Sequence, residues 1–98
     1  MATLIVSYPT TEGSTFDVDY YISKHIPLAR AAWSEFGLQS ADILFPFSGP
    51  QPFAGMVILK FSDQAAITAA LTSAKTDEVV GDVPNFTNIA PTIFRADD

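Results

Sequence analysis

The sequence predicts an α+β fold of the ferredoxin-like kind: a four-stranded antiparallel sheet with two helices on one face, in the order β-α-β-β-α-β. Three observations carry this prediction. Four short runs rich in β-branched and aromatic residues alternate with two helical segments in that order. With 98 residues, the chain has room for one domain, spanning residues 1–98. No repeat or low-complexity tract interrupts the pattern.

Thr3 to Tyr8 reads as the first strand and is stopped by Pro9. After the polar turn Thr10-Thr11-Glu12-Gly13, Ser14-Thr15-Phe16-Asp17 has the form of a capping box and sets a helix start. That helix is expected to run to Phe36, with Gly37 as its left-handed stop. Pro27 removes one of its backbone bonds and should bend it near Ser23 and Lys24. Ser40 to Phe47 and Ala54 to Phe61 read as the second and third strands, joined through the turn residues Ser48-Gly49-Pro50-Gln51-Pro52. Ser62 or Asp63 caps an alanine-rich helix over Gln64 to Ala74, and a short helical turn at Asp77 to Val80 is ended by Gly81. Asp82 to Ala90 is expected as loop and Pro91 to Arg95 as the last strand.

Composition excludes several functions. The net charge of −6 and pI of about 4.3 leave no basic surface for a phosphate backbone, so nucleic acid is not an expected partner. With no cysteine, disulfides, thiol catalysis and Cys-based zinc sites are ruled out, and one histidine cannot supply a typical catalytic zinc site. The carboxylate spacing resembles no calcium loop and no glycine-rich phosphate cradle occurs, so neither metal nor nucleotide cofactor is expected. The longest apolar run, Phe53 to Leu59, is too short to span a bilayer, and the start of the chain lacks a secretory pattern. The expectation is a soluble cytoplasmic protein with no membrane partner.

Both faces of the strands are apolar. Leu4, Val6 and Tyr8 oppose Ile5 in the first strand, and Val57, Leu59 and Phe61 oppose Met56 and Ile58 in the third. Two helices cover one face only, so the other calls for a second copy of the chain packed sheet to sheet as a homodimer. A monomer with an apolar sheet face is the plainer alternative.

Projected at about 100° per residue, Val18, Tyr21, Ile22, His25, Leu28, Ala29, Ala32, Trp33 and Phe36 share one sector of the first helix, with His25 at its centre. The sole histidine therefore faces the sheet. It is either a neutral core group satisfied by a carbonyl or a tyrosine hydroxyl, or the acid, base or hydrogen-bond donor of an apolar pocket. One histidine with no identifiable orienting acid is a poor basis for a hydrolase triad. Asp17 and Asp19 read as helix-capping charges. Asn85 and Asn88 either satisfy a turn or offer amide donors at a pocket mouth.

Leu4-Ile5-Val6-Ser7-Tyr8-Pro9, Phe16-Asp17-Val18-Asp19-Tyr20-Tyr21 and Lys24-His25-Ile26-Pro27-Leu28 resemble the EthD family, named for a protein of bacterial ethyl tert-butyl ether degradation. Gly81-Asp82-Val83-Pro84-Asn85-Phe86-Thr87-Asn88-Ile89-Ala90-Pro91 resembles the distal motif of its small bacterial members. The resemblance covers nearly the whole chain. It implies a ferredoxin-like subunit that dimerises into an α+β barrel, with a cavity between helices and sheet. It also implies His25 and Tyr21 as the family's histidine and helix tyrosine, within a superfamily that includes cofactor-free monooxygenases, isomerases, cyclases and haem enzymes.

Three functions follow as expectations. The first is a cofactor-free enzyme or accessory acting on a small aromatic or ether-like compound in catabolism. His25 would transfer the proton and Tyr21 orient it, in a pocket lined by Trp33, Phe45, Phe47, Asn85 and Phe86. The second is a non-catalytic binding or carrier module. The third is a haem protein with His25 as axial ligand, for which the chain is short.

Overall fold

A computed structural model describes residues 1–98 and follows the β-α-β-β-α-β plan. β1 is Ala2–Pro9, β2 Leu38–Leu44, β3 Phe53–Phe61 and β4 Thr92–Asp97. The strands are antiparallel in the order β2-β3-β1-β4, so β1 lies inside the sheet between β3 and β4. β2 is shorter than its apolar run because Pro46 has no N–H for a ladder; Phe45 to Phe47 leave the sheet.

The first helical segment is built in pieces. α1 is Val18–Tyr20, a π-helical turn spans Tyr21–His25, α2 is Ile26–Trp33, and a 3-10 turn at Ser34–Phe36 ends on Gly37. It starts later than the capping box predicts. Asp17, not Ser14, accepts the Tyr20 N–H, at 3.0 Å, while the Ser14 hydroxyl accepts from Thr11 N–H and closes the preceding turn. The expected disturbance upstream of Pro27 takes the form of the π turn, in which Ile26 N–H donates to the Tyr21 carbonyl. Its wider winding lags the 100° step, which turns Ile26 into the core and leaves Val18 and Ile22 at 40% and 48% exposure.

The second helical segment also divides. α3 is Gln64–Thr72, capped by the Asp63 carboxylate on Ala66 N–H at 2.8 Å, and α4 is Ala74–Asp82. Ser73 between them is extended, with its hydroxyl accepting from Lys75 N–H. Where a short turn ended by Gly81 was expected, α4 runs through Gly81 to Asp82, and a 3-10 turn at Val83–Asn85 follows. Helix α4 packs on α2, and α3 packs on β1 and β3. No helix is long and apolar enough to cross a membrane.

One core lies between the sheet and the helices. Leu4, Tyr8, Val57, Leu59 and Phe61 rise from the sheet to meet Tyr21, Ile26, Trp33, Ile67 and Val79. The opposite face presents Ile5, Met56 and Ile58 beside Leu44 and Phe94, the last two 49% and 61% exposed. Both strand faces are apolar as predicted, and this one has no cover within the chain.

Gly37 sits at φ 91°, and a Cβ there would lie 2.8 Å from Ser62 Oγ. Gly37→Ala should cost about 1–3 kcal/mol through the left-handed backbone and this crowding. Gly81→Ala, in a helix with open space around it, should be neutral or stabilise by up to about 1 kcal/mol. Urea midpoints of the two variants check this contrast; equal shifts would refute it.

Candidate functional site

The π turn ends on His25 and sets its ring inward, at 4% exposure. His25 Nδ1 lies 3.0 Å from Oδ2 of Asp82, the last residue of α4. The other oxygen of Asp82 accepts from the Tyr20 hydroxyl at 2.7 Å and from the Asn85 amide at 2.9 Å. An ionised carboxylate only accepts, so in the neutral ring the proton sits on Nδ1 and the lone pair on Nε2. Nε2 has no protein partner and is not sealed off. Burial holds the His25 pKa below 6.5, opposed by the Asp82 hydrogen bond and charge. For Asp82, burial pushes upward, but the hydrogen bonds from Asn85, Tyr20 and His25 prevail and its pKa falls below the ordinary carboxylate value. The result is a neutral imidazole oriented by an ionised carboxylate.

His25 borders a cavity of about 90 Å³ between helices and sheet, walled mainly by apolar side chains. Tyr8, Tyr21, Trp33 and Thr76 are among its lining residues. Two of its polar groups are already satisfied: Trp33 Nε1–H donates to Thr76 Oγ1 at 2.7 Å, and Thr76 donates to the Ala70 carbonyl. Val80 and Ile93 also line the cavity and are 63% and 57% exposed, so its mouth opens between α4 and β4. Burial pushes the Tyr8 pKa up to about 12 and that of Tyr21 further in the same direction, so both remain protonated donors at neutral pH.

The structure separates the residues that the sequence grouped. His25, Tyr21 and Trp33 meet at the cavity. Phe86 packs against the imidazole, centroids 4.5 Å apart, without lining the cavity. It is held there by a loop stitched to the start of α1, where Asp17 N–H donates to the Phe86 carbonyl at 2.7 Å and Thr15 N–H to Asn88 Oδ1 at 2.9 Å. Phe45 lies outside, packed on Phe16 and Tyr21. Phe47, beyond the end of β2, is 96% exposed and does not line this cavity. Asn85 is exposed and its amide serves Asp82. Tyr21 stacks on His25 at 5.4 Å but makes no hydrogen bond to it, so orientation falls to Asp82.

Sequence reasoning missed Asp82, Tyr8 and Thr76. Asp82 was legible in one respect: an acid at a helix C-terminus opposes the helix dipole, and such a residue needs a compensating partner. Finding it required α4 to be seen running to Asp82, which the glycine at position 81 concealed.

The fold and the site define a small ferredoxin-like α+β protein whose single histidine borders an apolar cavity. No family model matches the chain, and no curated protein matches it. Solved structures do. An EthD-like protein from Ralstonia eutropha JMP134 superposes with a TM-score of 0.82 at 27% identity, covering 98% of this chain and 89% of that one. An ethyl tert-butyl ether degradation (EthD) family protein from Bacillus halodurans C-125 gives a TM-score of 0.76 at 20% identity, covering 100% and 98%. A dimeric ferredoxin-like protein of unknown function from Jannaschia sp. CCS1 gives 0.70 at 17% identity, covering 99% and 98%. In sequence and fold the chain is similar to the Ralstonia EthD-like protein, and in fold to the other two.

Proposed function

We propose that this chain is a cofactor-free catalyst of proton transfer on a small, largely apolar organic compound, with His25 Nε2 as the base. The observation that carries this reading is the Asp82–His25 pair at the wall of an apolar cavity. A base whose pKa burial holds below 6.5 is unprotonated at pH 7 and free to take a proton. At about 90 Å³ the cavity is far below the roughly 300–1,000 Å³ of ordinary ligand sites, which disfavours a porphyrin within one subunit. The uncovered apolar face with Ile5, Met56, Ile58 and Phe94 supports a homodimer packed sheet to sheet, like its dimeric neighbour.

The single imidazole makes the test direct. Its NMR signals, followed across pH, should titrate below 6.5 and shift with one class among small ketones, phenols and ethers. His25→Ala should then abolish proton transfer on that class while the fold is retained. If the same ligand binds without any proton exchange, the carrier reading holds instead. An imidazole that neither titrates nor answers any ligand would make His25 a core group and end the proposal.

A further inference from the structure

The cavity carries a second polar device that His25 and Asp82 do not use. Tyr8 on β1 and Tyr21 in the π turn both line it, at 2% and 1% exposure, with their rings edge to face 5.6 Å apart. Their hydroxyls influence each other's ionisation, yet no well-formed hydrogen bond joins them. The Tyr21 hydroxyl is sealed from solvent, and its one polar neighbour is the Tyr8 hydroxyl. The Tyr8 hydroxyl has Tyr21 as its only polar side-chain neighbour and is not sealed off. Buried hydroxyls short of good hydrogen bonds are costly and uncommon in native proteins, so a pair with only each other, one of them open to the cavity, is suited to an acceptor from outside the chain.

We infer that Tyr8, backed by Tyr21, binds the oxygen of a small carbonyl compound whose apolar remainder runs toward the mouth between α4 and β4. The choice of a carbonyl among acceptor oxygens rests on the proton-transfer reading; the oxygen site itself does not. A C–H beside a carbonyl is acidic enough for an imidazole because the electrons left behind move onto oxygen. In the step, the α C–H bond breaks and its proton goes to His25 Nε2. The C–H electron pair forms the carbon–carbon double bond of an enolate, and the carbonyl π pair moves onto the oxygen that Tyr8 O–H donates to. Return of the proton from His25 completes an isomerisation or exchange with no co-reactant.

Size sharpens the assignment. A cavity of about 150 Å³ holds benzene, so about 90 Å³ holds a head group of roughly four heavy atoms. Any longer tail has to pass Val80 and Ile93 at the rim.

The test uses 2-pentanone and its isostere 2-methyl-1-pentene, in which a methylene replaces the oxygen, with dissociation constants from NMR titration of the intact protein. Because the alkene leaves water more readily, the informative quantity is the change between variants, not the ratio within one. Tyr8→Phe should weaken the ketone about tenfold and leave the alkene within about twofold. Tyr21→Phe, which removes the backing donor alone, should weaken the ketone about threefold. Failure of the wild type to bind 2-pentanone overturns the oxygen site, as does a Tyr8→Phe effect equal for both ligands. Deuterium uptake at the α carbon separates this inference from the role of His25. Tyr8-dependent binding without uptake supports the oxygen site and sinks the base, whereas uptake that Tyr8→Phe does not alter overturns the oxygen site and leaves the base standing.

Discussion

Under the proposed function, Asp82→Ala is expected to slow proton transfer at least about 100-fold while leaving the fold in place, because an orienting acid fixes both the ring angle and the tautomer of its histidine. Without the carboxylate, Nδ1–H loses its acceptor and the lone pair is no longer confined to Nε2. Stability should fall by about 1–3 kcal/mol, since the Nδ1–H is left buried and unpaired. The pH dependence gives a signature that mere loosening would not. In the wild type, burial lowers the His25 pKa and Asp82 raises it. Removing Asp82 leaves burial unopposed, so the acidic limb of the rate profile should move to lower pH even as the maximal rate drops. A limb that stays in place, or moves up, would exclude Asp82 as the charge acting on His25.

The same groups set the stability of the fold in acid. His25 has a folded pKa below its unfolded value of 6.5, so its contribution is complete above pH 6.5 and declines as the pH falls toward the folded value. The slope is at most about 1.4 kcal/mol per pH unit. Asp82 acts in the same direction at lower pH, its contribution being present above 3.8 and lost as the pH falls through its depressed folded value. Urea midpoints measured downward from pH 7 should therefore begin to decline near pH 6.5, and His25→Gln should remove that first decline.

Phe61→Ala is expected to cost about 3–5 kcal/mol, the largest stability effect of the substitutions considered. Phe61 ends β3 at 0% exposure, pairs with Ala2 on one side and Leu38 on the other, and meets the Trp33 ring at 6.3 Å. Alanine there leaves a cavity walled by a sheet and a helix that cannot both collapse into it. Against a total of about 5–15 kcal/mol this is a large fraction, and a fall of about 15–30 °C in Tm is expected. Phe47→Ala, which removes an equally large side chain at 96% exposure, should change Tm by no more than a few degrees. Similar shifts for the two would contradict the burial assigned to them.

Much of this architecture was legible from residue order. Thr3 to Tyr8 and Ala54 to Phe61 read as strands from their β-branched and aromatic runs, and the register pairs them residue for residue from Thr3 with Lys60 to Tyr8 with Gly55. Gly37 marks a left-handed helix stop because the backbone there needs a positive φ. Local signals misled where two of them competed. Ser14 and Asp17 both cap helices well, and the pairing of Phe16 with Thr87 holds the first as turn and leaves the second to start α1. Gly81 resembles a stop, yet a glycine at a helix interior position costs only about 1 kcal/mol and the packing of α4 on α2 exceeds that.

The sequence by itself determined the order of elements, the two apolar faces of the sheet and the inward placement of its one histidine, because alternation and helical period are local properties. Only the tertiary structure decided what that histidine is paired with. Asp82 stands 57 positions away, on a helix whose end depends on its neighbours, and no period in the chain relates it to His25. The same holds for Tyr8 and Tyr21, which a strand and a π turn bring to one cavity, and for Phe47, which reads as a pocket aromatic and lies in solvent. Contacts between elements depend on how the sheet and helices close over one another, and that closure is a property of the whole chain.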